Sequence, residues 1–145
     1  MEERNFDFGR VPEGFALCFS TECPLREECM RHLAGRHAPD TLTRGLSVFP
    51  NAYRHGQCCH YRPIRPIKAA RGFGDILANV RRSDYSTMRA ELVKYLGTGG
   101  TFYRYRNGER LLTPEQQEWM RQLLRRYGYE DDVQFNSYVM TYDFT

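Results

Sequence analysis

No run of apolar residues in this chain approaches the roughly 20 that a membrane helix needs, so a membrane partner is not expected. The Met-Glu-Glu-Arg start lacks the basic segment and apolar stretch of a secretory leader, which makes the cytoplasm the expected compartment. There is no phosphate-binding loop, dinucleotide glycine fingerprint, His-Glu-x-x-His or Gly-x-Ser-x-Gly, and the carboxylates form no acid/base pair. These absences count against an enzyme. Gly97-Thr-Gly-Gly100 follows a helical pattern and precedes a strand-like one, the reverse of a phosphate loop, and reads as a turn. An odd number of cysteines, two of them adjacent, makes a poor disulfide framework; in a reducing compartment such thiols stay free or bind metal. Lysine is nearly missing, with 2 Lys against 19 Arg.

What is present is concentrated. All five cysteines (Cys18, Cys23, Cys29, Cys58, Cys59) and all four histidines (His32, His37, His55, His60) fall within the first 60 residues. Residues 31–82 hold nine Arg and one Lys against Asp40 and Asp75, a local charge of +8 in a chain of net charge +3. Arginine offers a planar fork suited to phosphate and carboxylate, and it stacks on aromatics. With 145 residues, 41% hydrophobic and 14% aromatic, the chain suits one globular core.

Along the chain, residues 1–17 read as an arm or short strand. The stretch 23–35 predicts a helix, with Pro24 at its first position, Leu25, Cys29 and Leu33 on one face, and Gly35 as its stop. Residues 36–66 are irregular and proline-rich, a length that asks for a fastening. A short helix is expected over 67–80 and a stronger one over 84–96, capped by Ser83 or Asp84. Asn107-Gly108 is the preferred two-residue hairpin turn and predicts a hairpin over 101–112, with Tyr103, Tyr105 and Leu112 on one face. Thr113-Pro-Glu-Gln116 is a capping box that opens a helix with Trp119, Met120, Leu123, Leu124 and Tyr127 as its apolar stripe and Gly128 as its end. The acidic, aromatic tail reads as a strand or extended segment.

The expected fold is therefore α+β. It is a single domain, 1–145, with three or four helices and a small antiparallel sheet built on the 101–112 hairpin. A Cys-rich basic subregion spans about 14–66, a helix–hairpin–helix core 67–128, and an acidic aromatic segment 129–145.

Cys18, Cys23, Cys29 and Cys58 supply four thiolates for a structural metal, with Cys59 or His60 as substitutes. Zinc suits a tetrahedron of Cys or His ligands. On the expected helix Cys23 and Cys29 would be about 9 Å apart along the axis, too far for one ion unless Cys23 leaves the helix and folds back. An iron–sulfur cluster tolerates wider spacing, and inert buried thiols are the plain alternative. The basic residues Arg44, Arg54, Arg62, Arg65, Lys68 and Arg71, interleaved with Tyr53 and Tyr61, form a surface for an anionic partner: RNA, the ribosome or an acidic protein. Two other readings compete. Helices 67–80 and 84–96 followed by the hairpin match a winged-helix DNA binder, although Arg89 and Lys94 with Glu91 between them read bases poorly. An iron–sulfur redox protein or small enzyme would use Cys58 or Cys59 beside His55 or His60.

The pattern Cys18-x4-Cys23-Pro24-x4-Cys29, Cys58-x2-Tyr61-Arg62 and Ala70-Arg71-Gly72-Phe73, with the run from Phe102 to Gln117, resembles a family of small proteins from Bacteroides-group bacteria known as a domain of unknown function. The resemblance covers roughly residues 14–144 and carries no activity. It implies that the three early cysteines and one of the later pair form one site, and aligning Cys58-x2-Tyr61 favours Cys58.

Overall fold

A computed structural model describes residues 6–129 and 133–145; the expectations for the N-terminal arm and the acidic tail fall partly outside these residues. The fold is α+β. Among the described residues there are five α-helices, where three or four were expected, and three two-stranded sheets. The chain forms two compact units: residues 1–66 with 142–145, and residues 67–141.

In the first unit β1 (Leu17–Cys18) pairs in parallel with β2 (Ser47–Val48), and β3 (Tyr53–Arg54) pairs antiparallel with β4 (Gln57–Cys58). The β3–β4 turn is His55-Gly56, and both residues have positive φ, 54° and 80°. That is the two-residue turn whose twist matches its strands. The helix expected over 23–35 begins only at Met30: α1 is Met30–Arg36, preceded by a 3-10 turn at Arg26–Glu28. Cys29 is extended (φ −102°, ψ 124°) because it bridges Pro63. Met30 N–H donates to the Arg62 carbonyl (2.7 Å) and Ile64 N–H to that of Glu28 (3.0 Å), so long-range pairing displaces local helix. Met30, Leu33 and Tyr142 form the core of this unit, with Phe6, Phe15, Ile64 and Phe144 packed on them.

In the second unit, residues expected to open a helix over 67–80 form β5 (Pro66–Arg71) instead. Ile67, Ala69 and Ala70 are buried while Lys68 is exposed, and Ala70 exchanges both backbone hydrogen bonds with Leu112 (3.0 and 2.9 Å). The helical part shrinks to α2 (Gly74–Ala78). α3 (Arg82–Leu96) buries Met88, Leu92 and Leu96. Its N-cap is Arg81, not Ser83 or Asp84. Asp84, inside the first turn, pairs with Arg81 at 3.2 Å and accepts from the Tyr129 hydroxyl at 2.9 Å. β6 (Ser137–Tyr142) pairs with β5.

The hairpin expected over 101–112 is absent. Residues Gly99–Arg106 form α4, capped by the Thr98 hydroxyl, which accepts from Thr101 N–H at 3.1 Å. Asn107 stays right-handed (φ −86°) and Gly108 alone turns left-handed (φ 83°), which ends a helix and does not build a hairpin. The wing of the winged-helix reading goes with the hairpin, so that reading is dropped.

α5 (Pro114–Arg126) has its expected reciprocal capping box, with Gln116 N–H donating to Thr113 Oγ1 (3.3 Å) and Thr113 N–H to Gln116 Oε1 (2.9 Å). Its buried face is Met120, Leu123, Leu124 and Gln117, whose Nε2 donates to the carbonyls of Lys68 (3.0 Å) and Leu112 (3.1 Å). Trp119 is half-buried and lies flat on Tyr95, rings 3.8 Å apart at 5°. Trp119→Ala is therefore expected to cost about 2 kcal/mol in a denaturant melt, below the roughly 3–5 of a fully buried ring. A cost under about half of that would show that the stack adds nothing. No helix of the described residues is long and apolar enough to cross a membrane.

Candidate metal centre

Four separate stretches of the first unit bring cysteines together. Cys18 ends β1, in register with Val48 of β2. Cys23 lies in the turns before α1, so it is off the helix and free to fold back. Cys29 is the N-cap of α1, and Cys58 ends β4. All four line one small cavity of about 20 Å³, together with His32, His60, Arg26 and Arg31. Cys59 is exposed and lines a different, open groove with Phe49.

The supports of this arrangement are short and specific. Gly35 of α1 sits against β1 so closely that a Cβ there would lie 2.3 Å from the Cys18 carbonyl oxygen. Arg31 donates to the His60 carbonyl (2.8 Å) and the Ala16 carbonyl (3.0 Å), joining the stretches that carry Cys58 and Cys18. Arg26 donates to the Cys23 carbonyl at 3.1 Å.

Two sulfurs already accept backbone N–H groups two residues on. His60 N–H donates to Cys58 Sγ at 3.4 Å, and Ser20 N–H donates to Cys18. Burial pushes the Cys18 thiol up; the Ser20 hydrogen bond opposes this, and the neighbouring Cys29, Cys23 and Cys58 add to the rise. Four thiolates cannot share this cavity without a compensating cation. His32 is buried with no hydrogen-bond partner at Nδ1, and burial, then Arg36, lowers its pKa. The burial of His32 has no local signal in the sequence. Among the described residues, no three His, Cys, Asp or Glu side chains stand in the arrangement of a finished ligand set. The thiols line one cavity without being drawn in to bonding positions.

The residues read as an anion surface are drawn from both units. Arg44, Arg54, Arg62 and Arg65 belong to the first unit, Lys68 and Arg71 to the second. Arg65 pairs with Asp143 at 3.3 Å, and the Lys68 ammonium lies over the Tyr138 ring at 4.7 Å. Arg71 packs beside Gly108. Arg44, Arg54 and Arg62 are exposed. Tyr61 lines the cysteine cavity, and Tyr53 lines a separate groove with Phe19. His55 takes up the β3–β4 turn.

No curated protein and no solved structure matches the chain. A family model does, over residues 1–144, and the chain belongs to that family of unknown function, DUF6078.

Proposed function

We propose that the protein is a non-catalytic binding module whose first unit is fastened by a single metal ion held by Cys18, Cys23, Cys29 and Cys58, and which presents arginines to an anionic partner. The observation that carries the reading is the convergence of four thiols from four stretches of chain on one small cavity. Zinc takes four thiolates at about 2.3 Å. The Ser20 N–H at Cys18 opposes the burial that raises this thiol. Closing the ligand set asks the side chains to move inward around an ion, which binding energy can supply. His32 is the substitute nitrogen donor. Because the raised Cys18 thiol must lose its proton to ligate, metal uptake releases protons and strengthens as pH rises.

Elemental analysis and an absorption spectrum of anaerobically purified protein test this. The expected result is about one zinc per chain and no visible absorbance. Cys23→Ser should lose metal and melt earlier, while Cys59→Ser should keep both properties. Equal melting temperatures and equal metal content in the two variants would sink the assignment. Iron with sulfide would make the centre a cluster, and no metal would make the thiols ordinary core residues.

A further inference from the structure

Exposed positions of the first unit carry rings and charges that the metal centre does not use. From Thr41 to Pro66 there is no Asp or Glu, but there are four Arg. Arg65 is engaged by Asp143. No carboxylate of the described residues pairs with Arg44, Arg54 or Arg62. In the same stretch Phe49 is 71% exposed and Leu46 62%, and Phe19 beside it is 56% exposed. Large apolar side chains exposed along open grooves mark an interaction site. Phe19, Pro50 and Tyr53 line one open groove of about 490 Å³, and Leu46, Phe49 and Asn51 line another of about 400 Å³.

We infer that these residues bind single-stranded nucleic acid, with unstacked bases lying on Phe49, Phe19 and Tyr53 and phosphates meeting Arg44, Arg54 and Arg62. The inference rests on the binding-module reading and names its partner. A neutral protein partner would bury three guanidinium groups without a counter-charge, at a desolvation cost. A polyanion removes that cost. Bases supply flat apolar faces that stack on aromatic rings regardless of sequence, and only single strands expose them. Glu22 also lines the Phe19 groove, which keeps phosphate out and leaves the groove to bases. Arg54 donates Nε–H to the Asn51 carbonyl at 2.9 Å, which holds its fork in place with the terminal nitrogens left to donate.

The test is fluorescence anisotropy of a short labelled oligouridine with the full chain, metal content being measured in the same samples. Binding is expected at about 50 mM salt, weakening with salt along a log–log slope of about −2, for three phosphates at roughly 0.7 each. Phe49→Ala should weaken binding about tenfold or more, and Arg54→Gln with Arg62→Gln should flatten the slope. Phe49 is exposed, so its variant should keep the native circular dichroism spectrum. Single-stranded DNA should compete and duplex should not. No binding at low salt, equal binding of polyglutamate or duplex, or an unchanged Phe49→Ala would each overturn the inference. A metal-free chain that binds oligouridine would sink the metal reading alone. A metal-loaded chain that does not bind it would sink this inference alone.

Discussion

Replacing Phe102 with Ala is expected to destabilise the second unit by about 3–5 kcal/mol in a urea melt followed by circular dichroism. Phe102 is fully buried, its ring meets Phe73 edge to face at 5.5 Å, and the Arg89 guanidinium lies 5.3 Å from its centroid. The neighbouring Tyr103 is 43% exposed, so Tyr103→Ala should cost less than about 1 kcal/mol. The contrast tests the fold of this stretch. On a hairpin with Tyr103 and Tyr105 facing inward, the larger loss would fall on Tyr103. A reversed order of the two variants would return residues 101–106 to a strand.

Gly35→Ala carries the second large effect, because two opposing terms differ in size. Inside a helix Ala is worth roughly 0.5–1 kcal/mol over Gly. Here the new methyl would stand 2.3 Å from the Cys18 carbonyl oxygen, a backbone atom that cannot swing away. Either α1 or β1 must shift, and overpacking of this kind costs about 1–3 kcal/mol. The clash wins, and a net loss of stability is expected. The shift acts on the residue that carries Cys18, so metal content should fall as well if the thiols hold an ion. Gly99→Ala is the control: it sits at the start of α4 with nothing within 4 Å of the added carbon, and should be neutral or slightly stabilising. A Gly35→Ala protein as stable as the native one would mean that α1 and β1 do not meet so closely.

Local chemistry was legible where it was sufficient by itself. Thr113, Pro114 and Gln116 specify a helix start with no help from the rest of the chain, and α5 begins where they place it. Asn107-Gly108 was misleading because the same dipeptide serves a hairpin turn and a helix end. Only the sign of φ at Asn107 separates the two, and burial of Phe102 settles it. The positive-φ hairpin occurs at His55-Gly56, where histidine is a less obvious left-handed residue. The four cysteines that line one cavity stand out in the sequence as possible metal ligands. The path that gathers them does not, since it depends on the Cys29–Pro63 bridge and on Arg31 reaching two distant carbonyls. The closeness of Gly35 to β1 and the unpartnered Nδ1 of His32 are tertiary facts with no local signal.

The first unit is drawn from two distant stretches of chain, and residues 67–141 lie between them as one contiguous insert. Tyr142 and Phe144 belong to the first unit's core, and Asp143 holds Arg65 there. During synthesis the insert has all its residues before residues 142–145 emerge, so it can close while the cysteine-bearing unit is still incomplete. The apolar core of the cysteine-bearing unit, which needs Tyr142 and Phe144, is thus the last to be completed.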